Sequence, residues 1–443
     1  VCGPFVWPER TCYAGVDRLP PGHALRADAN TSRTWRFWDI DPDHRIRYAD
    51  ERDYTHHFLD IFKEAVRART RTTKPIGILL SGGMDSGSVA STLGWLREHD
   101  HHTPPVHTYS WAFDELVSAD ERHVSDAIVS RYGLHGHGIP ADDVWPLKDY
   151  PKHGPDRDDP FIRVYQPLME HSLEAARADG VGVLLVGDHG DELVGDWVFD
   201  HLGMVASGRV RGAIHEIESH ARWSGGSVRS TVRRHLLRPL RDDVRSLLGP
   251  PRSPRATTSG VPAHVRAEWA KRVQLQEVLV RPKVRPPGLN SAGSARYDRI
   301  FASGGLLDPT SLERDCSRFG LELHSPWSDR RLASFIMAVP QWMVQRPSEP
   351  KRIARHAMRG IMPADALSSA GKMEPVALFE RAFADRARAV IGSLLADSQL
   401  VGRGFVEEAE VRQLFDALAE RRVVRSDPWW SLTMEMWLRR YWS

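Results

Sequence analysis

The sequence has little cysteine, little lysine and no long apolar run, and each shortage excludes a class of protein. Its 443 residues contain three cysteines, Cys2, Cys12 and Cys316, which cannot form a disulfide framework and are expected as free thiols. No apolar run approaches the roughly 20 residues of a membrane helix, and no basic segment followed by an apolar one stands at the N-terminus. We therefore expect a cytoplasmic protein with no membrane partner.

The charges are nearly balanced, with a net charge of +2, so nucleic acid is not an expected partner. Only eight of the 60 basic residues are lysine. In a chain that uses arginine almost everywhere, a lysine near a site indicates a position that needs a compact point charge. The hydrophobic content of 41% is ordinary for a globular protein with a substantial core.

Residues 76–86 are the most informative stretch, because an apolar run ends there at a glycine pair flanked by two serines. The pattern predicts a strand leading into a phosphate-binding turn, with the N–H groups of Gly82 and Gly83 and the hydroxyls of Ser81 and Ser86 facing a pyrophosphate. Asp85 would repel phosphate unless a divalent cation lay between them, so the motif indicates a metal-bound nucleotide. The alternative is a glycine turn that only joins a strand to a helix.

From about Thr55 the apolar periodicity alternates between helix and strand, which predicts a doubly wound parallel α/β sheet. The predicted helices cover residues 55–69, 86–98, 119–132 and 162–178, and the predicted strands cover residues 76–80, 106–112, 134–139 and 181–186. Ligands of such sheets bind beyond the carboxyl ends of the strands, where the loop after Val186 also falls.

That loop, residues 187–192, contains two aspartates among glycines. We expect Asp191 to share a magnesium ion with Asp85, and Asp188 to face the reacting carbon as a general base. The alternative is a strand-to-helix turn in which Asp188 or Asp191 only caps the helix.

These motifs resemble those of known ATP-dependent synthetases. Residues 81–86 resemble the PP-loop of ATP pyrophosphatases, which cleave ATP between its α and β phosphates, so the resemblance implies adenylation. Residues 187–192 resemble the Gly-Glu-Gly-Ala/Ser-Asp-Glu motif of asparagine synthetases, with Asp188 in place of the acidic residue that serves them as a base and His189 in place of a glycine. Residues 320–332 resemble the same family's Glu-x-Arg-x-Pro-Phe-Leu-Asp segment, with Glu322 matched.

Lys351 and Lys372 match lysines that contact pyrophosphate or the transition state in asparagine and β-lactam synthetases; chance surface lysines are the alternative. ATP and Mg²⁺ are the implied cofactors. The resemblance implies catalytic roles for Asp188, Lys372, Lys351 and Glu322, and magnesium binding by Asp85 and Asp191. It also implies nucleotide binding by Leu80, Ser81, Gly82, Gly83, Asp85, Ser86, Ser110 and Gly187.

Four parts follow from the resemblance. Residues 1–45 are expected to be the remnant of an N-terminal glutaminase-like domain, and glutamine hydrolysis is not expected. Residues 46–199 form the PP-loop synthetase core, residues 200–310 a helical insertion, and residues 311–443 the C-terminal part of the synthetase domain. The insertion is rich in arginine, which predicts either solvated helix faces or a docking surface for a peptide.

The insertion, the Arg-Pro-Pro linker at its end and the Trp-Leu-Arg sequence near the C-terminus together resemble lasso peptide macrolactam synthetases. The resemblance implies a core peptide as substrate, with a leader peptidase and a leader-binding protein as further partners. Three alternatives stay open: a small-molecule synthetase making asparagine or a β-lactam, a tRNA-modifying PP-loop enzyme that binds RNA through the arginines of residues 209–252, and an inactive scaffold.

Overall fold

The fold is taken from a computed structural model of the chain. It describes residues 11, 13–99, 104–160, 162–195, 198–248, 261–279, 285–302, 309–368, 382–419 and 427–442.

Seven strands form two separate sheets in this part of the chain. A short antiparallel hairpin, β1 (His23–Ala27) and β2 (Ser32–Arg36), precedes the main sheet. The main sheet is entirely parallel and has the order β5-β4-β3-β6-β7. Its strands are β3 (Ile76–Leu79), β4 (Val106–Ala112), β5 (His135–Pro140), β6 (Val183–Leu185) and β7 (Glu322–His324).

The helices up to the last strand surround this sheet or belong to the segment between β6 and β7. They are α1 (Glu51–Ala68), α2 (Met84–His99), α3 (Arg122–Tyr132), α4 (Gln166–Ala178), α5 (His201–Ala206), α6 (Val210–Trp223), α7 (Val228–Val232), α8 (Arg238–Leu248), α9 (Ala267–Arg272), α10 (Leu275–Leu279), α11 (Ser291–Tyr297) and α12 (Pro309–Arg318). After β7 come α13 (Arg330–Ala338), α14 (Gln341–Val344), α15 (Arg352–Ala357), α16 (Ala364–Ser368), α17 (Arg388–Ala396), α18 (Gln399–Gly402), α19 (Glu408–Ala419) and α20 (Asp427–Tyr441).

Both faces of the central strands β3 and β6 are buried, because successive strand residues point to opposite sides and both sets are apolar. Ile76 and Ile78 pack into the core under α1, α2 and α3. Leu184 and Val186 pack into a second core that includes residues of α4 and α12. The doubly wound α/β fold expected from the sequence is therefore confirmed.

Several element boundaries differ from the expectation; α4, for example, begins at Gln166 rather than at residue 162. The first helix begins at Glu51 rather than residue 55, because the Asp50 carboxylate accepts a hydrogen bond of 2.8 Å from the Arg52 N–H and caps the helix. The predicted helix 119–132 begins at Arg122, after a separate 3₁₀ turn. Strand β7 was not predicted, because three residues are too short to show a periodicity.

In its described parts, the segment from residue 200 to residue 302, predicted to be a helical insertion, contains α5 to α11 and two π-helical turns; its boundaries as an insertion stay a prediction. Its later part does not pack alone: Val265 and Leu275 belong to a core with Phe383 and Leu432. The insertion is thus joined to the C-terminal helices by a shared apolar cluster.

Among the residues that the structure describes, no helix combines the length and the apolar character needed to cross a bilayer. Cys316 is a free, buried thiol whose pKa burial raises to about 12. Cys2 and Cys12 lie outside the described residues.

Candidate functional site

The candidate site lies where the strand order of the main sheet reverses. The chain runs from β3 through β4 to β5 on one side, then crosses to β6 and β7 on the other. Loops that follow β3 and β6 therefore diverge from a common point and leave a crevice at the carboxyl ends of the strands. The glycine turn after β3 and the aspartate loop after β6 both open into this crevice.

The turn after β3 has a preorganised backbone. The hydroxyls of Ser81 and Ser86 lie 2.9 Å apart, and Ser86 Oγ also accepts the Ser81 N–H at 3.1 Å. Ser81 Oγ in turn accepts the Gly83 N–H at 3.2 Å. These bonds close the turn at the start of α2, where the helix dipole favours an anion.

One N–H group of this turn already binds a carboxylate. The Gly82 N–H donates to Glu121 Oε2 at 2.9 Å, and the Glu121 side chain lies directly above the glycine, where an added Cβ would be 2.7 Å from Glu121 Cβ. An acidic group thus occupies part of the position that the sequence assigns to phosphate. This contact is consistent with an anion-binding turn, because the backbone N–H points outward and donates to a negatively charged partner.

Asp85, Asp191 and Lys351 meet in one cluster. The Lys351 ammonium lies 2.7 and 2.6 Å from the two carboxylate oxygens of Asp85 and 2.7 Å from Asp191 Oδ1. Lys351 has a left-handed backbone with φ of 52° at the start of α15, a conformation that non-glycine residues adopt at a cost of about 1 kcal/mol or more. The surrounding contacts hold the lysine in this geometry.

The two carboxylates fit a magnesium ion. They converge on one cation, and hard oxygen ligands are those that Mg²⁺ prefers. Asp191 begins a π-helical turn, Asp191–Gly195, a local distortion that often marks functional sites. Magnesium bound here would be held by Asp85 and Asp191 together with oxygens of the phosphates.

Two glycines of the aspartate loop are required by close packing on the PP-loop. A Cβ at Gly187 would lie 2.4 Å from the Ser86 nitrogen, and a Cβ at Gly190 would lie 2.3 Å from Asp85 Cγ. The loop can approach the turn only because both side chains are absent. The close approach explains why residue 187 is a glycine, and nucleotide binding by Gly187 stays a prediction.

Residues after β7 brace the crevice from the other side. The indole N–H of Trp327, a fully buried side chain, donates to the backbone oxygen of Asp85 at 3.1 Å. Ser325 Oγ donates to the backbone oxygen of Asp188 at 2.6 Å. Sequence reasoning missed both residues as site supports, although they lie in the segment 320–332 that carries the synthetase resemblance.

The helical insertion contacts both segments that hold the cation cluster. Glu216, buried on α6, accepts a bond of 2.7 Å from Ser348 Oγ and one of 3.0 Å from the Ser348 N–H, three residues before Lys351. Arg296, buried on α11, donates to the Leu193 carbonyl at 2.5 Å, two residues after Asp191. The insertion is therefore built onto the site and is not a remote appendage.

Other predicted nucleotide ligands lie beside the turn. The Leu80 N–H donates to the Tyr109 carbonyl at 2.9 Å, which joins the turn to β4 next to Ser110. Asp188 lies half-buried in the aspartate loop between Gly187 and Gly190. These positions are consistent with the predicted roles and leave them as predictions.

Glu322 is not brought into this cluster. It is the first residue of β7 and pairs in register with Val183, the first residue of β6, so it lies at the amino-terminal end of its strand. Its side chain is 70% exposed and bonds His324 at 2.8 Å. In the described part of the chain, no hydrogen bond or ion pair joins Glu322 to Asp85, Asp191 or Lys351.

Lys372, the other lysine predicted to be catalytic, lies outside the described residues.

Glu121 was also missed by sequence reasoning. It lies after β4, directly before α3, and no motif marks it. From sequence alone, a single acidic residue before a helix is expected to cap that helix. Only the three-dimensional structure shows that Glu121 contacts Gly82 of the glycine turn.

Sequence comparison relates this chain to asparagine synthetases. A family model described as asparagine synthase matches residues 57–439. Asparagine synthetase (glutamine-hydrolyzing) 3 of Bacillus subtilis (strain 168) is 24% identical over 382 residues, which cover 82% of this chain and 55% of that protein. Amidase chyE of Penicillium rubens is 25% identical over 202 residues, covering 42% of this chain and 29% of the amidase. The chain thus spans about half the length, or less, of these curated relatives.

Among solved structures, the U34-tRNA thiolase NcsA from Methanococcus maripaludis aligns with 60% of this chain and 77% of its own. The sequence identity is 12% and the TM-score is 0.25, which is too low to bear on function.

Proposed function

Because the chain belongs to the asparagine synthase family, we propose that it is an ATP-dependent ligase that activates a carboxylate as an adenylate and joins it to an amine. The observation that carries this proposal is the meeting of Lys351 with Asp85 and Asp191 beside the glycine turn.

The proposed reaction has two steps. A carboxylate oxygen of the substrate attacks the α-phosphorus of ATP, and the bond to the β-phosphate oxygen breaks, so pyrophosphate leaves. An amine then attacks the acyl carbon, AMP leaves with the former carboxylate oxygen, and the amine proton passes to a base. Asp188 is our proposal for that base, because its loop faces the crevice.

The protein supplies positive charge where the pyrophosphate charge grows. The turn at Gly82 and Gly83 offers backbone N–H groups, and the Lys351 ammonium offers a mobile cation. Magnesium, when bound by Asp85 and Asp191, would neutralise phosphate charge. On ATP binding, we expect the ammonium to turn from the carboxylates toward the phosphates.

We further propose that the substrate is a peptide whose Asp or Glu side chain is activated and whose own N-terminal amine closes a macrolactam. The support comes from α6, α7, α8 and the turns between them. This surface, here called the insertion surface, exposes large apolar side chains that a monomeric protein would ordinarily bury or scatter singly. They are Val210, Ile214, Trp223, Val228, Leu237, Leu240 and Val244.

Exposed arginines lie among these apolar side chains. Arg233 and Arg234, in the π-helical turn between α7 and α8, are exposed, and so is Arg245 of α8. Apolar anchors interleaved with basic groups suit an extended peptide better than they suit aspartate or ammonia. Since Glu216 of α6 also holds the Ser348 segment before Lys351, a peptide bound on α6 lies on an element that contacts the site. A leader peptidase and a leader-binding protein are the partners proposed for supplying the free N-terminus.

The second candidate is synthesis of asparagine from aspartate and ammonia. It is favoured by the likeness to the asparagine synthetase of Bacillus subtilis over 82% of this chain. Both candidates share the adenylation step. They differ only in which carboxylate is activated and in which amine attacks it.

The test uses the full chain with ATP and Mg²⁺, and follows pyrophosphate and product mass. The probes are synthetic linear peptides with a free N-terminal amine and one Asp or Glu at varied distances from it. We expect pyrophosphate release and a product lighter by one water. Pyrophosphate release with free aspartate and ammonia, and none with the peptides, would replace the peptide proposal by the second candidate.

A further inference from the structure

Two histidines and an aspartate meet at the end of the main sheet opposite to the glycine turn. His107 is the second residue of β4, His137 is the third residue of β5, and Asp179 directly follows α4. Tyr109 of β4 is in register with His137, so His107, Tyr109 and His137 share one face of the sheet. Asp179 lies at the end of the helix that covers this face.

Their ligand atoms form a compact triangle. His107 Nδ1 lies 3.0 Å from His137 Nε2 and 3.6 Å from Asp179 Oδ2, and His137 Nε2 lies 3.3 Å from the same Asp179 oxygen. The three side chains come from two strands and a helix end, so the backbone fixes their convergence. The nucleotide site uses none of them.

The triangle has the size of one face of a tetrahedral metal site. With metal–ligand bonds of about 2.0–2.1 Å, neighbouring ligand atoms of a tetrahedral zinc site are about 3.3 Å apart. The three observed distances, 3.0, 3.3 and 3.6 Å, lie on both sides of that value. An ion could therefore be held with shifts of only a few tenths of an ångström.

A further hydrogen bond orients the Asp179 carboxylate. The Tyr109 hydroxyl donates to Asp179 Oδ2 at 2.8 Å, as expected for a ligand whose orientation is fixed by a second partner. The side chains of His107, His137 and Asp179 are 17%, 34% and 27% exposed, so an ion can reach them from solvent and a water can complete the coordination.

We propose that His107, His137 and Asp179 bind a divalent transition-metal ion of the zinc type. Two imidazoles and one carboxylate suit zinc, whereas magnesium prefers oxygen ligands alone. The ion would tie β4 and β5 to the C-terminal end of α4. This site is separate from the adenylation site and does not rest on the proposed function.

The test measures zinc affinity of the full chain in the presence of excess Mg²⁺. The chain is stripped with EDTA and titrated with Zn²⁺ against a chromophoric chelator. We expect one tightly bound equivalent. His107→Asn and His137→Asn should each weaken binding by more than about 100-fold, and Tyr109→Phe, which removes only a positioning hydroxyl, by about 10-fold.

His135→Asn is the matched control, because the His135 ring stacks on His107 at 4.9 Å without belonging to the triangle. It should leave the affinity unchanged. Equal zinc affinity in the wild type and both ligand variants would overturn the proposal and assign binding to others of the 21 histidines. A cobalt-loaded wild type should also show a tetrahedral ligand-field spectrum that the His137→Asn variant lacks; an octahedral spectrum would overturn the proposed geometry.

Discussion

Lys351 and Asp191 form an ion pair of 2.7 Å across the crevice at the carboxyl ends of the strands. The same ammonium also binds both oxygens of Asp85. A cation therefore stands between the two carboxylates that the sequence assigns to magnesium. Under the proposed mechanism, the arrangement would provide both the ligands of the ion and a mobile positive charge for the leaving pyrophosphate.

Replacing either carboxylate should stop adenylation. Asp85→Asn and Asp191→Asn each remove a proposed magnesium ligand, so we expect pyrophosphate release to fall by more than about 100-fold. Circular dichroism should show an unchanged fold. Asp60→Asn, at an exposed position of α1, is the control and should retain full activity. Near-normal turnover in either site variant would refute the shared ion.

Replacing Lys351 should affect the rate more than ATP binding. Lys351→Ala removes charge that matters most as pyrophosphate leaves, so kcat should fall by about 100-fold while KM for ATP changes little. Lys351→Arg should not restore the rate, because a planar guanidinium cannot replace a compact ammonium held between two carboxylates. Lys152→Ala, at an exposed position, is the control. Steady-state kinetics test this: a raised KM for ATP with an unchanged kcat would indicate that Lys351 contributes only to ground-state binding.

The sequence predicted the sheet and the glycine turn after β3 because both rest on local patterns. The alternation around Ile76 and Val106 and the glycine pair at Gly82 are visible in short windows. The contact of Glu121 with Gly82 and the bracing of Asp85 by Trp327 depend on residues distant in the chain, which no window shows.

Glu322 is a residue that a sequence motif marked but that the structure places away from the Asp85, Asp191 and Lys351 cluster. The motif resemblance implies a catalytic role for it, whereas its place at the start of β7 puts it at the end of the strand away from Lys351, and the catalytic role stays a prediction. A motif shows which residue types follow one another along the chain. It does not show at which end of a strand a residue lies, because that depends on how the strands pair in the sheet.

Removing the carboxylate of Glu121 should favour nucleotide binding. In the structure it accepts the Gly82 N–H at 2.9 Å, which a phosphate oxygen would otherwise use. Glu121→Gln removes the charge and keeps the size, so KM for ATP should fall by about threefold. Glu115→Gln, an exposed acid in the loop after β4, is the control. A higher KM in the Glu121 variant would show that the carboxylate positions the turn and does not compete with phosphate.

The helical insertion should lose stability in mild acid. His201 is 1% exposed, and burial together with His220 and His235 lowers its pKa to about 4. The unfolded chain binds this proton near pH 6.5, so between about pH 6.5 and 4 the unfolded state holds more protons and stability falls as pH falls. For His201 alone the loss is about 3 kcal/mol.

Urea unfolding across this pH range measures the effect. His201→Asn should flatten the dependence of the unfolding free energy on pH, whereas His215→Asn, an exposed position on α6, should not. An unchanged slope in the His201 variant would contradict the assignment.

The most direct test follows the oxygen that adenylation transfers. A peptide that supports turnover is labelled with ¹⁸O in its Asp or Glu side-chain carboxylate, and the nucleotide products are read by mass spectrometry. We predict AMP that carries the label, together with unlabelled pyrophosphate, and loss of both in Asp191→Asn. Labelled orthophosphate with ADP would contradict adenylation.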